Sequence, residues 1–192
     1  WKALTPEDFV AAPENTWVDD MKGFRLKWGI RPADASKYMA SDERVQEVPE
    51  LTMTVLRQMA DACHADGAQM VLIATPSTKN WSQARHNEEL GIDWIDLNTG
   101  DDEVAIDWDT DTRDYGDHLN YYGATKASRA VADILRDRYG LQDHRADGGD
   151  TYRHWNRAVR AYERQIEEAE HFNATCLAPL GSDLRATLPL EG

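Results

Sequence analysis

Apolar positions first fall into a regular pattern at residue 48. Between 48 and 65, Leu51, Val55, Met59 and Ala62 recur every three or four residues, with Leu56 and Cys63 beside them. This is the spacing of an apolar stripe on an amphipathic helix. Asp66 and Gly67 close the helix, because glycine takes the left-handed backbone after a helix without a Cβ clash. Residues 69 to 74 then form a short apolar run ending at Thr75-Pro76, the signature of a strand covered on both faces. A second round follows, with a helix predicted over 81 to 90, Gly91 as its cap and IDWIDL at 92 to 97 as the next strand. Two such rounds predict parallel neighbouring strands at 69 to 74 and 92 to 95, flanked by helices near 48 to 65 and 124 to 139.

The later pattern is helical. Ala127, Val131, Ile134 and Leu135 define the inner face of the helix at 124 to 139, and Gly140 ends it. A last helix is predicted over 152 to 172, with Trp155, Val159, Tyr162 and Ile166 as its stripe and Arg153, Arg157, Arg160 and Arg164 on its outer side. Before residue 48, prolines and glycines interrupt every period; Thr5 and Pro6 suit a helical start, and Phe24, Leu26 and Trp28 alternate as a short strand would. The organisation read from this is an irregular arm at 1 to 47, an α/β domain at 48 to 172 and an extended tail at 173 to 192.

Composition narrows the function classes. The chain has 192 residues, 41% of them hydrophobic and seven of them Trp, enough for a real core. The 21 basic residues against 35 acidic ones give a net charge of −14, and the basic residues are scattered, so nucleic acid is a poor partner. No apolar run approaches the ~20 residues needed to cross a bilayer. Cys63 and Cys176 form no C-x-x-C pair, which removes a zinc ribbon or dithiol site; Cys63, on a helix stripe, reads as a buried thiol, with a disulfide to Cys176 left open. The first residue is Trp1 and no signal peptide is visible, so a processed product or an excerpt is expected.

Half of the net charge sits between residues 99 and 117, where eight acids face the single Arg113. A hard cation or the arginines of the last helix are the two evident neutralisers. The alternation Asp107, Asp109, Asp111 opens like a calcium loop, but Thr112 stands where the sharp turn needs glycine and His118 where the closing glutamate belongs, so no metal or other cofactor is expected. Asn173-Ala174-Thr175 matches the short glycan-acceptor pattern.

The strongest local feature is DYGDHLNYYG at 114 to 123. A histidine opening the helix that follows the last strand stands near the carboxyl edge of the sheet, and an adjacent carboxylate would fix its tautomer and make it a base. The competing reading makes His118 and Asn120 turn and cap residues. Ser77, in TPSTKNW at 75 to 81, stands just past a strand but without a glycine-flanked elbow, and reads as a cap; His86 reads as a surface residue.

Taken together, VLIATPS with the following W-S-x-x-R-H-N, the strand GIDWIDLN, the segment DHLNYYGA-x-K and LQDHR-x-D with Tyr152, Trp155 and Asn156 resemble the C-terminal portion of bacterial SGNH/GDSL hydrolase-like proteins, over roughly residues 48 to 165. The resemblance implies a flavodoxin-like three-layer α/β/α sandwich, present in part. It implies a serine-dependent esterase or O-acyltransferase acting on carbohydrate or small-molecule esters at or outside the cell surface. His118 would be the base. The family's acid stands three residues earlier, where this chain has Tyr115, so Asp114 and Asp117 remain alternatives. The G-D-S nucleophile block and the later G-x-N-D block are lacking, and Ser182 in Gly181-Ser182-Asp183 follows no strand signal. The expectation is a chain without the first part of its parent domain and without the nucleophile serine; the rival is a non-catalytic carbohydrate-binding or surface module.

Overall fold

The structure is a computed structural model and describes residues 25–39, 49–78, 91–150, 152–172 and 174–175. Those from Lys27 to Asp143 belong to one compact unit, and those from His144 onward to another. In the first, helix α1 (Glu50–Ala65) leads into strand β1 (Val71–Ala74), and strand β2 (Asp93–Asp96) precedes helix α2 (Tyr121–Tyr139). The second carries helix α3 (Arg153–Phe172). The helix expected over 81 to 90, the turn near Pro6 and the tail beyond 175, with Cys176 and Ser182, lie outside the described residues.

β1 and β2 pair in parallel, Val71 opposite Asp93 and Ala74 opposite Asp96, as the two helix-turn-strand rounds predict. Among the described residues they make a two-stranded open sheet. The core lies on one of its faces. Ile95 and Leu97 have no accessible surface, and Ala127 of α2 packs on them with Val131 and Ile134 around it. Three of the four predicted inner positions of α2, Ala127, Val131 and Ile134, thus belong to this cluster. The helix begins at Tyr121, earlier than the periodicity indicated, because Asn120 caps it by accepting from the Tyr122 and Gly123 amides. Gly140 ends it at φ 67°, in the left-handed region.

α1 departs from its expected orientation. Leu51, Val55 and Met59 are exposed, the first at 71%, while Met53 is buried and Leu56, Ala60 and Cys63 are half-buried. Both sets have helical spacing and lie on separate faces, so periodicity alone could not choose between them. Cys63 is a free, half-buried thiol. On α3, likewise, Tyr162 and Ile166 are half-buried and Ala158 and Ala169 buried, whereas Trp155 and Val159 stand exposed.

The alternation at Leu26 and Trp28 does not become a strand. Residues 25 to 34 run irregularly because their amides reach separate points of the acidic loop, Arg31 N to Thr112 O (2.9 Å) and Ala33 N to Trp108 O (2.8 Å), rather than a continuous ladder. No helix of the described residues is long and apolar enough to cross a membrane.

Truncation should separate the two kinds of apolar position. Ile95→Ala is expected to lower unfolding free energy by about 2–4 kcal/mol in urea denaturation, through lost contacts and a residual cavity. Val55→Ala should change it by less than about 0.5 kcal/mol; an equal loss at Val55 would place that stripe in a core.

Candidate functional site

The site is built on the carboxyl ends of the two strands. After β2 the chain turns at Asn98, which is 4% exposed. Its amide nitrogen donates to Ala74 O, Thr75 O and Asp96 Oδ1, and its Oδ1 accepts from Ser77 N and Tyr38 OH. One side chain therefore joins the ends of β1 and β2 to the segment around Tyr38. Burial, with the carboxylates of Glu103 and Asp96 nearby, pushes the Tyr38 phenol up to about 12, so it stays a donor.

Past β1, Ser77 Oγ and Thr78 N both donate to Gly116 O, at 3.2 and 2.9 Å. This pins the loop carrying the histidine motif over the end of the strand, where open α/β sheets place their sites. Thr112, fully buried, braces the loop from within: its Oγ1 accepts from Gly116 N (2.8 Å) and donates to His118 O (3.1 Å). Asn120 closes the other side. Its Nδ2 donates to Gly29 O, Thr110 O and Thr112 O while its Oδ1 caps α2. Asn120 is a cap, as one reading of the motif had it, and also the knot that holds three segments.

Within that frame the chain turns tightly at Tyr115 and Gly116, both with positive φ, 63° and 98°. A Cβ on Gly116 would lie 2.2 Å from Thr78 Oγ1 and 2.8 Å from Ala33 Cβ, so the close approach requires glycine. The turn brings Asp114 back onto the histidine. Asp114 Oδ1 accepts from His118 N (2.7 Å) and Oδ2 stands 2.6 Å from His118 Nδ1. The carboxylate side chain is 18% exposed and the imidazole 65%, with Arg113 Nε at 3.9 Å from Asp114 Oδ2. Asp114 is thus the carboxylate bonded to the ring, and Asp117, beside His118 in sequence, is half-buried. With Nδ1 held as donor to Asp114, Nε2 is the nitrogen left to accept a proton.

Two carboxylates of the acidic loop are neutralised from a source that the charge count did not single out. Asp111, buried, pairs with Lys126 of α2 and also accepts from Asp107 N and Thr110 Oγ1; Asp102 pairs with Arg138 at the end of α2. Asp107 is turned to the Asp109 amide. These carboxylates hold their own loop, and among the described residues no three His, Cys, Asp or Glu side chains gather as a metal site needs.

A cleft of about 520 Å³ opens at the opposite, amino end of the strands, lined by Gln69, Ile92, Asp93, Trp94, Arg138 and Tyr139. Its carboxylate, Asp93, already accepts from Gln69 Nε2 (2.8 Å) and Tyr139 OH (3.0 Å), and it holds no histidine or serine.

No family model, curated protein or solved structure matches the chain.

The loop geometry gives a direct expectation. Gly116→Ala should lower thermal stability by the equivalent of about 1–3 kcal/mol, from positive φ and crowding against Thr78 together. An unchanged melting temperature would show that the turn relaxes freely and does not fix Asp114 on His118.

Proposed function

We propose that the chain carries the general-base part of an ester-processing centre of SGNH/GDSL type, belonging to a serine-dependent esterase or O-acyltransferase that acts on carbohydrate esters outside the cytoplasm. The observation that carries this reading is the Asp114–His118 pair: a 2.6 Å contact on Nδ1, a second bond from the same carboxylate to the histidine amide, and an imidazole open to solvent at the carboxyl end of the strands. The parallel strand pair with α2 packed on it is what a partial α/β/α sandwich of that family would retain.

In this reading His118 Nε2 takes the proton of a serine hydroxyl as the oxygen attacks the acyl carbonyl. Asp114 stabilises the imidazolium and keeps its orientation without itself taking the proton. The imidazolium then returns the proton to the departing alkoxide, leaving an acyl-serine. Attack by water would complete hydrolysis, and attack by a sugar hydroxyl would complete transfer, with His118 again the base. The nucleophile comes from outside the motifs of this chain. Ser77, bonded to the loop itself, gives its hydroxyl hydrogen to Gly116 O and joins strand end to loop.

The test uses the full product of the gene with an O-acetylated xylo-oligosaccharide. His118→Ala and Asp114→Asn should each lower kcat by about 10³–10⁴-fold, and Asp117→Asn by less than about tenfold. The 192-residue chain alone should turn over p-nitrophenyl acetate no faster than its His118→Ala variant. Full activity in Asp114→Asn, or no acetyl release by the full product, would contradict the reading.

A further inference from the structure

Tyr115 is the one residue of the histidine loop whose backbone and side chain are both unexpected. A tight turn with two successive positive φ values favours Asn, Asp or Gly at its first position, because a Cβ there crowds the following carbonyl at a cost of about 1–2 kcal/mol. The chain instead places a tyrosine there, at φ 63°, and leaves it 60% exposed. Burial gives no reason for the choice. The side chain is nonetheless held: the guanidinium carbon of Arg31, a residue only 7% exposed, lies 5.9 Å from the ring centroid, within range of a cation–π contact. Arg31 is fixed in turn through its amide to Thr112 O, the same residue that braces the loop. The ring is backed by a buried cation and open elsewhere, on a strained turn between Asp114 and His118.

We propose that Tyr115 is the substrate-holding surface of this centre, its exposed ring stacking on a neutral sugar ring so that an acyl group on that sugar is set beside His118. The choice of a neutral, hydroxyl-rich ring follows from the surroundings. The loop carries eight acids against one arginine, and Lys126 and Arg138 pair with only two of them, so its surface stays net negative and disfavours phosphate and carboxylate ligands. An aromatic face meets the apolar C–H face of a neutral pyranose. This inference rests on the reading of Asp114–His118 for the chemistry that follows binding, and the binding itself is measured without that chemistry.

The experiment is an NMR titration of the ¹⁵N-labelled 192-residue chain with xylotriose, repeated with Tyr115→Phe, Tyr115→Gly and His118→Ala. The wild type and Tyr115→Phe should bind with shifts centred on the amides of residues 114 to 119. His118→Ala should bind within about twofold of the wild type, and Tyr115→Gly should bind at least about tenfold more weakly. Because glycine relieves the positive φ, Tyr115→Gly should also melt at the same temperature as the wild type or higher. No binding by the wild type, equal binding by Tyr115→Gly, or a lowered melting temperature in that variant would overturn the proposal. Tyr115-dependent binding alongside a full gene product without acyl chemistry would remove the proposed reaction and leave the sugar surface standing.

Discussion

The histidine loop at the carboxyl end of the sheet depends on one buried amide, that of Asn120. Asn120 uses both ends of its side chain, the nitrogen against the carbonyls of Gly29, Thr110 and Thr112 and the oxygen against the first amides of α2. Each of these bonds contributes about 0.5–1.5 kcal/mol, and made from one side chain they hold the three segments in one relative position. α2 is anchored on Ile95 and Leu97 by its inner face, and through Asn120 the loop is anchored to α2. The histidine is therefore referred to the core by a short chain of bonds rather than carried on a free loop. Thr112 and Gly116 complete the constraint, one by bridging the loop internally and the other by fitting where no Cβ fits.

Charge is handled by the same helix. A segment with seven excess negative charges resists folding back on itself, yet it packs here because its most buried carboxylate, Asp111, meets Lys126 and two further donors. Removing Lys126 would leave the buried Asp111 carboxylate with only its two neutral donors, Asp107 N and Thr110 Oγ1. Asp102, at the start of the loop, meets Arg138 at the far end of α2. Two cations spaced along one helix thus tie down the start and the middle of the acidic stretch. Carboxylates occupied in this way are poor material for a cation site, which accounts for why the calcium-like alternation at 107 to 111 folds into turns of its own.

The elements with strong local signals were legible. The two strands, their parallel pairing, α2 and its glycine stop follow from period and punctuation, and the histidine motif announced itself through residue types in close sequence. What depended on long-range contact was not. The face of α1 that packs inward, with Met53 and Leu56, has the same spacing as the exposed face with Leu51 and Val55, and only the tertiary neighbours decide between them. The roles of Tyr38, Asn98 and Arg31 come from partners in distant parts of the sequence, as in the bond between Tyr38 and Asn98 across 60 residues. The choice between Asp114 and Asp117 hinged on a backbone conformation, positive φ at Tyr115, that residue identity argued against.

The central claim is that Asp114 holds His118 as a base with its free nitrogen outward. Long-range ¹H–¹⁵N spectra of the imidazole, recorded where the ring is neutral, test this without any substrate. The account predicts the tautomer protonated on Nδ1 and bare on Nε2, kept in Asp117→Asn and lost to the Nε2–H form or a mixture in Asp114→Asn. A wild-type ring protonated mainly on Nε2, or a tautomer that follows Asp117 instead, would contradict it.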